Sequence, residues 1–125
     1  MPFVVLSPEL AVLSPMSNAR LYDAMAETLH RFFPEALPAL GMYKNRVEKS
    51  FVVPLHDDEE YEHIRELAVE FKQESILLVD DDLEANLVML KDGEIVDLGH
   101  WVYAGTMPPD ANAWTLVGNA YFYCV

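Results

Sequence analysis

Only one cysteine, Cys124, occurs in the 125 residues. An internal disulfide and any CxxC metal or redox pair are therefore excluded. A lone thiol fits a reducing compartment. No run approaches the roughly 18 apolar residues that a membrane-spanning helix needs. The opening stretch MPFVVLSPELAVLSP has no basic segment and is broken by Pro8 and Pro15, so it does not read as a signal peptide. A cytoplasmic location is expected. Phosphate-cradling GxxxxGK[ST] and GxGxxG loops, the GxSxG elbow and HxxxH spacing are all missing. The residue patterns thus assign no catalytic residue, no metal and no cofactor. Bases are scarce as well, with 8 Lys and Arg against 21 Asp and Glu, a net charge of −13. Such a field repels nucleic acid and anionic membrane and favours a basic partner.

What is present is concentrated acidity. Residues 1–56 are neutral, with five acids and five bases. Residues 57–97 hold fifteen acids against three bases, and residues 98–125 hold only Asp110. The stretch 57–74, DDEEYEHIRELAVEFKQE, carries the clearest periodicity in the chain. Tyr61, Ile64, Leu67, Ala68 and Phe71 recur at helical spacing and predict a buried stripe. Glu62, Glu66, Glu70 and Glu74 form a second stripe of like charges at i, i+4. Each such pair costs about 0.2–0.5 kcal/mol, on the order of 1 kcal/mol in all. Asp57 or Asp58 is placed to cap this helix.

Around this helix the chain reads as mixed. Phe3–Leu6 predicts a short edge strand. Ser17 is expected to cap a helix over 18–33, with Leu21, Met25, Leu29 and Phe32 inward and Tyr22 and Phe33 widening that face. Val47–Val53 reads as a strand, with Leu40–Tyr43 as its hairpin partner through 44–46. Ser75–Val79 is an apolar, central strand. Asn86–Leu90 and Glu94–Leu98, joined by Lys91-Asp92-Gly93, give the strongest hairpin signal. His100–Ala104 extends that strand between Gly99 and Gly105. Residues 107–110 read as a loop, and 114–117 and 120–125 as closing strands. The expectation is one α+β domain over 1–125, with a mostly antiparallel sheet and two helices packed on one face. If Val47–Val53 and Ser75–Val79 pair in parallel, the helix between them makes a right-handed crossover.

Three segments together resemble a family of uncharacterised small bacterial and phage proteins. They are Glu48-Lys49-Ser50-Phe51-Val52-Val53, the helix end Leu67-Ala68-x-x-Phe71-x-Gln73, and Ser75-Ile76-Leu77. The shared pattern is an E-x-S strand, an L-A-x-x-F-x-Q helix and a hydrophobic strand, over about residues 41–79. The resemblance implies a phage or bacterial accessory protein and brings no catalytic residue with it.

The functional expectation follows from the charge. Carboxylates one helical turn apart approximate the spacing of backbone phosphates. The chain therefore reads as a non-enzymatic inhibitor that mimics DNA and blocks a basic, nucleic-acid-binding surface on a host protein. Its contact residues would be Glu59, Glu62, Glu66, Glu70 and the turn Asp80, Asp81 and Asp82. The last three, with Glu84, lack the spacing of a calcium loop. A monomer or homodimer is expected. Two alternatives stand beside this reading. One is a small enzyme or ligand-binding domain with a pocket near Tyr43, Glu48, Ser50 and His100, since Glu48 and Ser50 share one strand face. The other is an oligomeric assembly subunit joined through its aromatic C-terminal strands. Cys124, in an apolar strand, reads as a small buried hydrophobe.

Overall fold

A computed structural model of the chain describes residues 1–43, 46–106 and 113–125. The expected turn at Lys44 and Asn45 and the expected loop at 107–110 lie outside these residues. The described residues form, in chain order, β1 (Phe3–Leu6), α1 (Pro15–Phe32), β2 (Leu37–Tyr43), β3 (Arg46–Pro54), α2 (Asp58–Glu70), β4 (Ser75–Val79), β5 (Glu84–Met89), β6 (Ile95–Gly105), β7 (Ala113–Val117) and β8 (Ala120–Cys124).

The strands close into an antiparallel barrel in the order β1-β3-β2-β7-β8-β6-β5-β4, with β4 pairing back to β1. This corrects the expectation of an α+β domain with a mostly antiparallel sheet and two helices packed on one face: the sheet closes on itself. Closure depends on β2 pairing with β7, Gly41 opposite Thr115, and on β1 inserting between β3 and β4. Phe3–Leu6 is therefore an interior member of the ladder and not an edge strand. β3 and β4 do not pair, so the α2 connection crosses over β1. Closing the sheet satisfies the backbone groups that an open edge would leave unpaired.

Alternation along the strands makes two apolar clusters. Val4, Leu6, Phe51, Val53, Ile76 and Val88 point outward and pack against the helices. Phe3, Val5, Leu77, Val79, Ala85 and Trp101 point inward. On the helices, Met25, Leu29, Ile64, Leu67 and Ala68 are buried against the first set. Each fully buried Met, Leu or Ile side chain among these contributes about 1.5–3 kcal/mol. Tyr61 and Phe71 pack at the margin of this cluster. Desolvation there raises the Tyr61 phenol above its usual range, with Arg65 opposing and Glu62 adding. Phe32, expected inward, is 51% exposed and meets the His63 ring edge-on at 5.3 Å. Phe33 takes the buried place instead.

Helix ends differ from the sequence expectation in two informative ways. α1 starts three residues early because Ser14 is the cap, its hydroxyl accepting from the Ser17 amide, and Pro15 occupies the first turn. Proline suits that position, where its fixed φ is helical and its missing N–H is not needed. α2 is capped by Asp57, which accepts from the Glu60 amide at 2.8 Å, while Glu60 accepts from His56 at 2.6 Å. Its C-terminus closes with Gln73 donating to the Ala68 carbonyl and Lys72 to that of Val69. Lys72 holds the left-handed conformation, φ 59°, that this reversal requires. Glu74 therefore leaves the helix, and the anionic row stops at Glu70. No described helix is long and apolar enough to cross a membrane.

Candidate active site

An eight-stranded barrel is just wide enough to be filled by side chains or to hold one small ligand. This barrel does both, at different places. Phe3 meets Trp101 edge-on at 5.1 Å across the interior and, with Val79 and Ala85, fills one part. Elsewhere the inward positions are small: Gly41 stands opposite Glu48 and Thr115, and Ala39 opposite Ser50. A methyl group at Gly41 would lie 3.2 Å from the Ser50 hydroxyl. This difference in side-chain size leaves a cavity of about 460 Å³.

The cavity wall combines three kinds of group. Trp101 and Phe122 are stacked at 5.1 Å with an interplanar angle of 17° and supply an aromatic surface. Ser50 and Thr115 are buried, and the Ser50 hydroxyl donates to the Glu48 carbonyl. Glu9, Glu48 and Glu74 bring carboxylates, and Arg46 and Lys72 bring cations. Arg46 Nε donates to Glu48 Oε1 at 3.0 Å. The two lie two residues apart on β3, so both side chains face inward with Ser50.

Ser7 and residues 9–12 run along the same cavity. Past the last β1–β3 pair, Leu6 opposite Phe51, side chains continue the ladder. Ser7 donates to the Lys49 carbonyl at 2.8 Å, and Glu9 accepts from the Lys49 amide. Asn18, buried on α1, accepts from the Leu10 amide at 2.8 Å and donates to the Leu10 carbonyl at 3.1 Å. Gln73 Nε2 donates to the Glu9 carbonyl. The segment is thus tied to β3, α1 and the end of α2.

Cys124 also lines the cavity, and burial pushes its thiol above the usual range. Ionisation is then delayed in the folded protein, so alkylation by iodoacetamide at pH 8 is expected to be slower than for the unfolded chain. The rate should climb as pH passes the ordinary thiol range, where the unfolded thiol has already ionised. Equal folded and unfolded rates at pH 8 would contradict this placement.

Of the pocket expected from the sequence, Tyr43, Glu48 and Ser50 come together in the cavity wall. His100 does not: its side chain is exposed, on a residue whose backbone pairs with Val125. Glu59, Glu62, Glu66 and Glu70 are exposed on α2, outside the cavity. Asp80 folds its own turn, accepting from the Asp82 and Glu84 amides, and Asp81 pairs with the terminal amine at 2.6 Å. Asp82 is exposed in the same turn. None of these seven residues lines the cavity. Sequence reasoning missed Glu9, Arg46, Trp101 and Phe122 as wall residues. For Arg46 a signal was present, since it continues the Glu48–Ser50 alternation by one step.

A family model described as "S-Adenosylmethionine lyase family" matches residues 4–125. It includes the 41–79 stretch on which the resemblance above rests and extends over nearly the whole chain. No curated protein matches the chain. The match overturns the reading as a non-enzymatic, DNA-mimicking inhibitor. Net charge describes what a surface repels; it carries no information on what an interior cavity holds.

Proposed function

The chain belongs to the S-adenosylmethionine lyase family, and from that premise we propose that it cleaves S-adenosylmethionine at a carbon–sulfonium bond without consuming water. The observation that carries this reading is the barrel cavity, lined by carboxylates and by a stacked aromatic pair. Its volume of about 460 Å³ suits a ligand of this size. A sulfonium is a cation with no N–H or O–H to donate. It is therefore recognised by nearby negative charge and by aromatic faces and not by directed hydrogen bonds. Glu48 supplies the first, and Trp101 and Phe122 the second. The same rings offer a stacking surface for the flat adenine.

The chemistry fits a dry site. When the C–S bond breaks, its electron pair stays on sulfur, and the sulfonium becomes a neutral thioether. In a lyase the electrons that close the carbon fragment come from within the substrate. Positive charge at sulfur therefore falls toward the transition state, and exclusion of water favours that loss of charge. Inward Val5, Leu77 and Trp101, the last 8% exposed, make the apolar part of the lining, from which a bound substrate displaces water. The barrel's contribution is to hold the chain of the substrate folded and out of water.

The test is direct. Purified protein is incubated with S-adenosylmethionine in ¹⁸O-enriched water, and the products are separated promptly and weighed by mass spectrometry. Conversion to a neutral nucleoside thioether, with no ¹⁸O in the amino-acid fragment, is expected. Stoichiometric ¹⁸O uptake, or no conversion by the folded protein, would overturn the proposal.

A further inference from the structure

We infer that Arg46 determines specificity at this site by taking the carboxylate of the substrate's amino-acid end. The inference rests on reading the cavity as the S-adenosylmethionine site. Its basis is the way the Arg46–Glu48 pair is built. Arg46 faces the cavity from β3, opposite Tyr43 and one inward step from Glu48, which itself stands opposite Gly41. Its bond to Glu48 runs through Nε alone, at 3.0 Å. Among the described residues nothing engages its two terminal nitrogens. Those nitrogens form an edge of the guanidinium fork whose geometry matches a carboxylate.

Charge also favours this orientation. Glu48 answers Arg46 in the free protein, so neither stands alone in a half-buried setting, with side chains 37% and 30% exposed. An entering α-amino acid is a zwitterion: its carboxylate adds to the open guanidinium edge, and its cationic groups face Glu48. The wall thus sets a cation against the added carboxylate and a carboxylate against the two added cations, the ammonium and the sulfonium. Lys72, the other cation of the wall, is exposed and forms the reversal at the end of α2. It lacks the planar fork and, among the described residues, an ion-pair partner.

Decarboxylated S-adenosylmethionine separates this role from general support of the cavity, because it keeps the sulfonium and the nucleoside and lacks only the carboxylate. Arg46→Met is expected to raise KM for S-adenosylmethionine about thirtyfold, the loss of a charge-assisted, two-point contact. The inhibition constant of the decarboxylated compound should stay the same or fall, since Glu48 is left free to attract a cation. Arg46→Lys, which keeps the charge and loses the fork, should recover only part of the KM. An unchanged KM in Arg46→Met, or equal weakening of both compounds, would overturn the assignment. Wild-type protein that neither converts nor binds S-adenosylmethionine would instead overturn the function on which it rests. Thermal melting of each variant checks that the barrel is intact, as expected for a partly exposed side chain.

Discussion

Replacing Glu48 with glutamine is expected to lower kcat/KM for S-adenosylmethionine about a hundredfold, mostly through KM. Two opposite charges about 5 Å apart, at an effective dielectric of about 20, attract by about 3 kcal/mol. That corresponds to roughly a hundredfold in binding. The sulfonium carries its full charge in the bound ground state and loses it as the C–S bond breaks. A carboxylate therefore helps binding more than the bond-breaking step, and its removal belongs in KM. Glutamine keeps the volume of Glu48, and its oxygen can still accept from Arg46 Nε. The variant thus removes charge without opening the wall. Steady-state kinetics on the two proteins decide the matter: values of kcat/KM within threefold of each other would remove Glu48 from the site. A drop confined to kcat would assign it a role in the chemistry instead.

The largest loss of stability is expected at Gly99. Gly99 sits in β6 beside a register shift in the β5–β6 ladder and has φ +89°, a conformation that side chains rarely adopt. A Cβ there would stand 2.3 Å from the carbonyl oxygen of Val125. Its neighbour His100 exchanges both backbone hydrogen bonds with Val125, at 2.8 and 2.9 Å. Alanine must displace that segment and weaken the pair that ties down the chain end. We expect Gly99→Ala to cost about 3 kcal/mol, combining backbone strain with loss of these bonds. Gly93 is the control. Its φ is similar, +76°, but nothing lies within 4 Å of an added Cβ. Gly93→Ala should cost only the strain, about 1 kcal/mol. Urea denaturation of both variants measures the difference. Equal losses would show that the close approach to Val125 does not matter.

Local elements were legible in the sequence where one physical rule governs them. Ile64, Leu67 and Ala68 could be placed inward because helical spacing alone puts them on one face. The β5–β6 hairpin was readable because Gly93 supplies the positive φ its turn needs. Glu48 and Ser50 could be put on one side of a strand by its two-residue period. Glu74 escaped this reasoning: the Glu spacing continues the helix, whereas a left-handed Lys72, an unusual residue for that place, ends it. Pro15 reads as a breaker of the apolar opening stretch, whereas in the first turn of α1 it is a starter.

The sequence by itself determined the strands, the helices and most of their buried faces, Phe32 and the end of α2 excepted, because each follows from periodicity within a dozen residues. It also determined the acidity of 57–97. Only the tertiary structure decided that the sheet closes, because closure rests on pairs such as Gly41 with Thr115, far apart in the chain and set by no local pattern. Closure in turn made the candidate site. Glu9, Arg46, Glu48, Trp101 and Phe122 come from a loop and three strands and meet only because a barrel has an inside. The same tertiary arrangement left the acidic residues of α2 outside the cavity, where charge counting alone had placed the function.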